Sequence, residues 1–153
     1  MNTTEVGQAL IKLADVANCT GGDFHTIHLN LKGAEFDALH GQVFKKYYEA
    51  AGDDYDEFAE WAKMFDVPAP NKNGSGGRIG YESFEPSGDV DREEALTAVN
   101  DALDILLSAY VDLFKILNKA DGDSRCIGAA NMIQTKIEYW TKERHYFQKQ
   151  RCS

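Results

Sequence analysis

Apolar residues recur at helical spacing in four segments of this 153-residue chain, and one long stretch rich in glycine and proline separates the second segment from the third. The four segments cover residues 6–31, 36–62, 96–117 and 126–147. The first passes through Gly21 and Gly22 without a change of phase, so we predict one long helix there. Residues 66–90 contain all three prolines and predict a crossover loop, with a short turn of structure near Ile79 to Phe84. Two helical hairpins joined by one long connection predict an all-α, ferritin-like four-helix bundle.

The charge and the cysteines narrow the classes of function. The chain carries a net charge of −9 at pH 7, which repels polyphosphates and attracts metal cations. Its three cysteines lack metal-site spacing, its first residues lack a signal-peptide pattern, and no apolar run reaches the roughly 18 residues of a membrane span. We therefore expect a cytoplasmic protein with one domain over residues 1–153 and no membrane segment. DNA binding is not expected either, although residues 142–151 are modestly basic.

Three of the four histidines lie between His25 and His40, around Gly33. On one unbroken helix, His28 and His40 would be about 18 Å apart, too far to share a ligand. Glycine is suited to the left-handed conformation that ends a helix, and a chain reversal at Gly33 would place these two imidazoles side by side. The spacing therefore predicts a metal-binding pair formed by His28 and His40.

Carboxylates normally complete an iron site, and Asp56 and Glu60 are the candidates because their spacing places both on one helix face. Asp56 lies about 24 Å beyond His40 along the same helix, so one chain cannot bring the two together. A two-fold dimer of the second helix can, with histidines from one subunit and acids from the other. Three neighbouring residues are interpreted as acids of the surface or of a cavity: Asp53, Asp54 and Glu57.

The segment that holds these residues resembles the Dps-type miniferritins, the DNA-binding proteins from starved cells. The matching residues are His25, His28, Asn30, Lys32, Gly33, Phe36, Leu39, His40, Asp56 and Glu60. The resemblance implies a twelve-subunit hollow shell that oxidises Fe(II) with hydrogen peroxide or oxygen, stores ferric mineral and protects against oxidative damage. It also implies ferroxidase sites between two-fold-related subunits. In each site His28 and His40 of one subunit, with Asp56 and Glu60 of the other, would be the catalytic metal ligands.

The same resemblance suggests roles for four residues around the site. His25 would support the ligands from one turn away, and Trp61 would either intercept oxidising equivalents or act as a packing residue. Asp121 and Asp123 resemble the acids that line miniferritin three-fold pores. The alternative is an ordinary polar turn in which Asp123 or Ser124 caps the last helix.

Departures from the family pattern, two of them close to the proposed ligands, keep other functions open. Phe44 stands where the family usually has an acid. One extra residue separates His40 from Asp56, which turns a helix by about 100° unless a π-bulge absorbs it. The first alternative is a ferritin-like shell that binds iron, zinc or another divalent metal without turnover. The second is a metal-free helical bundle that acts as an interaction protein.

Overall fold

Four long helices make up most of the described chain, in the order that the apolar stripes predict. The computed structural model describes residues 1–32, 44–119 and 123–151. In chain order the elements are α1 (Thr3–Asn30), α2 (Lys45–Lys63), a 3₁₀ turn (Lys72–Gly74), α3 (Ser75–Ile79), α4 (Arg92–Leu117) and α5 (Ser124–Arg151). Apart from one isolated bridge between Leu31 and Val90, these residues contain no strand pairing, and none of their helices is long and apolar enough to span a membrane. The predicted all-α fold, with its long crossover between the second and third long helices, is confirmed.

α1 runs unbroken through its two central glycines. A capping box closes its first turn: Asn2 accepts a hydrogen bond from the Glu5 amide at 2.9 Å, and the Glu5 carboxylate accepts one from the Asn2 amide at 3.2 Å. A Cβ atom on Gly21 would lie 3.0 Å from the Cβ of Ala51 on α2. Glycine therefore lets the two helices pack closely here, which explains a residue that by itself costs helix stability.

The four long helices share one hydrophobic core. Near its centre the Phe24 ring stacks on Trp140 with centroids 5.9 Å apart, and Tyr47 meets Trp140 edge-on at 5.6 Å. A fully buried large apolar side chain contributes roughly 1.5–3 kcal/mol by leaving water. This cluster therefore does much to fix how α1 and α2 pack on α5. The largest fully buried side chains are Trp140, Tyr47, Tyr110, Phe24, Phe44, Phe58, Phe65, Phe147, Leu10, Ile27 and Leu96.

The short helix of the crossover begins earlier in the chain than the sequence predicts. α3 ends at Ile79, where we expected structure to begin, and Gly80 terminates it in the left-handed conformation with a φ of 63°. The buried Asp15 of α1 sets this position, because its carboxylate accepts hydrogen bonds from the Ser75 hydroxyl at 2.7 Å and from the Arg78 guanidinium at 2.7 and 2.9 Å. Asp15 precedes Ser75 by 60 residues, so no local pattern marks this helix.

Asp23, further along α1, anchors the later part of the crossover in the same way. Its carboxylate accepts hydrogen bonds from the Tyr81 hydroxyl at 2.6 Å and from the Phe84 amide at 2.9 Å. Burial raises the pKa of the Asp23 carboxyl, although both hydrogen bonds oppose that shift. Beyond it, the Val90 amide donates to the Asn30 carbonyl at 2.8 Å. The crossover is therefore tied to α1 at several points along its length.

α5 begins at Ser124, directly after its cap. Asp123 Oδ1 accepts a hydrogen bond from the Arg125 amide at 2.9 Å, which satisfies one of the free donors at the start of the helix. Of the two predicted caps, Asp123 is therefore the one used.

Candidate metal centre

The last two turns of α1 carry two of the histidines that the sequence singles out. His28 is 7% exposed, whereas His25 is exposed. The centroids of their imidazole rings lie 6.0 Å apart. This end of α1 is held in place because Ile27 and Leu31 are buried in the core on either side of His28.

Tyr48 of α2 lies against both imidazoles. Its ring centroid is 4.3 Å from that of His25, with the planes inclined at 33°, and 5.1 Å from that of His28, which it meets edge-on at 72°. The close approach of Gly21 to Ala51 brings the two helices near enough for these contacts. The start of α2 therefore faces the histidine-bearing end of α1.

The two predicted carboxylate ligands lie on the exposed face of α2, further along the helix. Asp56 and Glu60 are both exposed. Asp56 follows Tyr48 by eight residues, which places it about 12 Å further along α2 than the residue that contacts His28. Within the described parts of one chain, no three histidine, cysteine or acidic residues are grouped so that they could hold a metal ion. One chain therefore does not bring His28 together with Asp56 and Glu60.

Two predicted site residues, His40 and Asp121, lie outside the described residues, as does Gly33. The pairing of His28 with His40 across a chain reversal therefore stays a prediction. Phe44, the first residue described after this stretch, directly precedes α2. Whether a π-bulge absorbs the extra residue between His40 and Asp56 therefore stays a prediction.

Phe44 belongs to the core. It is fully buried, and its ring centroid lies 6.3 Å from that of Phe147 on α5. The position where miniferritins usually carry an acid therefore supplies packing here and has no oxygen to offer a metal ion.

Asp54 is a buried acid, and our interpretation of it as a surface or cavity residue is wrong. It is 5% exposed. Its Oδ2 accepts hydrogen bonds from the Tyr110 hydroxyl of α4 and from the Trp140 indole of α5, both at 2.8 Å. The spacing contains the signal, because Asp54 falls in step with the buried residues Tyr47, Ala51 and Phe58 of the same helix face.

A lysine of α5 compensates the charge of Asp54. The Lys136 ammonium lies 3.0 Å from Asp54 Oδ1 and 2.6 Å from a carboxylate oxygen of Glu57. Burial lowers the pKa of Lys136, but the two carboxylates outweigh burial and the net shift is upward. Burial, reinforced by Asp54, raises the pKa of Tyr110 well above its ordinary value. The group is therefore a polar cluster closed within one chain.

Trp61 packs on α5. A Cβ atom on Gly128 would lie only 2.5 Å from Cη2 of the Trp61 indole, so the ring covers a position that only glycine can occupy without a shift. This contact favours the packing interpretation of Trp61. A role in intercepting oxidising equivalents stays a prediction.

Asp123 is paired within its own chain. Its carboxylate lies 3.0 Å from the Arg125 guanidinium, and the hydrogen bonds that Arg125 donates lower the pKa of Asp123. The partner cation offsets much of the negative charge that Asp123 would bring to a pore. The three-fold pore stays a prediction.

Comparison with solved structures places this architecture in one class, the ferritin-like bundles of Dps-type proteins. Antigen TpF1 from Treponema pallidum superposes with a TM-score of 0.85, covering 97% of this chain and 92% of that chain at 15% identity. The Dps protein from Vibrio cholerae O1, described as a member of a broad superfamily of ferritin-like diiron-carboxylate proteins, gives a TM-score of 0.80, with 96% and 89% covered at 19% identity. A C-terminal deletion mutant of Mycobacterium smegmatis Dps gives 0.84, with 97% and 98% covered at 13% identity.

Comparison of the whole sequence with family models and curated proteins gives no such match. No protein-family model matches the chain. No curated protein matches its sequence. The structural comparison alone confirms the resemblance to Dps-type miniferritins, and it does so for the fold, over nearly the whole length of the chain.

Proposed function

We propose that this chain is an iron-storing ferroxidase of the Dps type, and that its subunits form a hollow, dodecamer-like shell. Fe(II) would be oxidised by hydrogen peroxide or oxygen between two-fold-related subunits, in the cytoplasm, and stored as ferric mineral. The proposal rests mainly on one observation: on a Dps-type fold, the proposed histidine and carboxylate ligands of one chain lie apart from each other. His28 lies near the end of α1, whereas Asp56 and Glu60 are exposed further along α2. A two-fold axis between paired α1–α2 hairpins can bring these two parts of different subunits together.

The proposed ligands suit iron as a substrate. Imidazole and carboxylate groups both coordinate iron, and two carboxylates offset the additional positive charge that forms when Fe(II) becomes Fe(III). Burial of His28 limits the access of water to its imidazole. Two Fe(II) ions together supply the two electrons that, with two protons, convert one hydrogen peroxide into two water molecules. Paired electron delivery therefore releases no hydroxyl radical, which would protect the cell against oxidative damage.

A shell that binds metal without turnover is the second candidate, and Phe44 favours it. Because this buried ring replaces a carboxylate, the proposed site has one anionic ligand fewer than the family pattern. Fewer anionic ligands stabilise Fe(III) less. Such a protein would bind Fe(II) or Zn(II) but oxidise Fe(II) no faster than buffer does.

Complementation between two inactive variants tests the shared site. One variant carries His28→Ala and His40→Ala, and the other carries Asp56→Ala and Glu60→Ala. Each alone should lose rapid Fe(II) oxidation, because every site then lacks half of its ligands. In a mixed dimer one site has none of the four ligands and the other has all of them. Co-assembled shells should therefore recover about a quarter of wild-type activity if subunits pair at random.

A second pair of acids on α2 provides the matched control. Glu49 and Asp53 have the same i, i+4 spacing, lie one heptad earlier and are exposed. The variant Glu49→Ala/Asp53→Ala should keep wild-type activity. Mixed shells that form and stay inactive would contradict the shared site. A wild-type protein that binds Fe(II) without oxidising it would favour the second candidate.

A further inference from the structure

We infer that Tyr48 is a positioning residue for His28, and that its ring holds the imidazole in the orientation in which it binds a divalent metal ion. The inference rests on the proposed metal-binding role of His28. It concerns a contact between α1 and α2 that lies within one chain, so it is independent of how subunits pair.

The ring of Tyr48 contacts two imidazoles, those of His25 and His28. It meets His28 edge-on, at 72° and 5.1 Å, the arrangement in which the positive edge of one aromatic ring faces the negative face of another. His25 covers the Tyr48 ring at 4.3 Å and so restricts its rotation. The centroids of the two imidazoles lie 6.0 Å apart, so the one Tyr48 ring contacts both of them.

Ile27 and Leu31 anchor the backbone at the end of α1, and the Tyr48 contact acts on the His28 side chain there. His28 lies two residues before Asn30, where α1 ends and the backbone becomes extended at Leu31. The last turn of a helix opens more readily than its interior. Tyr48, in the first turn of α2, lies between Tyr47 and Ala51, which are buried in the core. These buried neighbours fix the position of Tyr48, and its ring in turn contacts His28 near the end of α1.

The described contacts of Tyr48 with the histidines are made by its ring. Tyr48→Phe keeps that ring and should keep the orientation of His28. Tyr48→Leu keeps an apolar side chain, although a smaller one, and removes the aromatic ring. Loss of a group that orients a metal ligand typically lowers metal affinity by about 10- to 100-fold.

Tyr55 offers a matched control on the same helix. It lies one heptad after Tyr48 and is also partly buried. Its ring is covered by the Lys72 ammonium, 5.0 Å from the centroid, and lies at the crossover. The variant Tyr55→Leu therefore removes an aromatic ring of the same kind from α2 without touching the histidines.

Titration of the assembled protein with Co(II) alone tests the inference. The dissociation constant is measured by calorimetry and the ligand field by visible absorption. Tyr48→Phe and Tyr55→Leu should bind within about twofold of wild type with the same spectrum. Tyr48→Leu should bind about tenfold more weakly with altered bands. Equal affinity and spectra for Tyr48→Leu and wild type would overturn the inference.

A second measurement, without metal, separates this inference from the proposed function. Diethyl pyrocarbonate acylates accessible imidazoles, and mass spectrometry reads the rate at His28. In the metal-free protein His28 should react several-fold faster in Tyr48→Leu than in Tyr48→Phe. Unchanged labelling would contradict the positioning role by itself. A wild-type protein that binds no Co(II) while the labelling rates differ as expected would instead reject the proposed metal site.

Discussion

At the scale of single residues, Asp54 connects three helices through one carboxylate. It joins α2 to Tyr110 of α4 and to Trp140 and Lys136 of α5. The helical spacing of α2 indicates that Asp54 faces inward. The sequence could not identify its partners, because the nearest of them is 56 residues away along the chain. A buried acid can be predicted from periodicity, whereas what compensates its charge depends on the tertiary fold.

Replacing Asp54 with asparagine should destabilise the protein by about 3 kcal/mol, because Lys136 then loses one of its two carboxylate partners inside the bundle. Asparagine keeps only one of the two acceptor oxygens, so its NH2 group would face either Trp140 and Tyr110 or Lys136, all of which are donors here. Urea unfolding followed by tryptophan fluorescence, at one protein concentration, measures the change. Asp53→Asn, at the exposed neighbour, should stay within about 0.5 kcal/mol of wild type. Equal losses in both variants would contradict the role of Asp54.

The thiol of Cys19 should resist alkylation in the folded protein. Burial, together with the charges of Asp15 and Asp23, raises the pKa of Cys19 from 9.0 to about 11. Because only the thiolate reacts, Cys19 at pH 8 should react about a hundredfold more slowly than an ordinary thiol, and its rate should rise until the pH passes about 11. Iodoacetamide labelling read by mass spectrometry measures this rate, with urea-unfolded protein as the fast reference. Rapid labelling of native Cys19 at pH 8 would contradict its protection.

At the scale of elements, the long helices and the crossover between them follow from the sequence, whereas the position of α3 within the crossover does not. Each long helix carries an apolar stripe of period 3.6, so its identity depends on neighbours three and four residues away. α3 has five residues, and its position depends on the bonds that Asp15 accepts from Ser75 and Arg78. Long-range polar contacts of this kind leave no periodic signal in the chain.

Removal of the Arg78 guanidinium should loosen the crossover while the four long helices stay folded. Arg78→Met leaves the Asp15 carboxylate, whose side chain is 3% exposed, with the Ser75 hydroxyl as its described hydrogen-bond donor. Hydrogen exchange of the amides in residues 75–84 should then be roughly tenfold faster. Arg78→Met combined with Asp15→Asn removes the uncompensated charge and should exchange more slowly than Arg78→Met alone. The opposite order would show that the ion pair does not hold the crossover.

At the scale of the whole molecule, charge argues against DNA as a partner. The chain carries −9 overall, and its most basic stretch is already partly compensated, because Arg144 lies 3.0 Å from Asp104. Phosphate contacts dominate affinity for DNA and weaken steeply with salt. Mobility-shift assays at about 150 mM salt should therefore show no complex. A retained complex at that ionic strength would mean that residues 142–151 act as a DNA-binding surface.

One chain can present only half of the ligands of a proposed site in one place. Spacing alone selects Asp56 and Glu60 as one pair and His28 as part of another, and the structure keeps His28 apart from that acid pair within a subunit. The two groups of ligands would be joined by symmetry between two copies of the chain. Such symmetry has no signature in the sequence of one copy. Distances along the chain therefore predict that the site needs two subunits, but they do not predict how those subunits are arranged.

A site that needs ligands from two subunits predicts that the subunits assemble, and assembly can be measured directly. A monomer would leave the acids of α2 without histidines, and it would leave Leu29, which neighbours His28, 66% exposed to water. Twelve copies of a 17.1 kDa chain, the number in the proposed shell, would have a mass of about 200 kDa. Light scattering at neutral pH should therefore detect one discrete species of about that mass, and the variant Asp56→Ala/Glu60→Ala should keep it, because removal of ligands does not remove the fold. A stable monomer of 17.1 kDa would contradict the shared site whatever metal is supplied, since no chain would then carry a complete set of ligands.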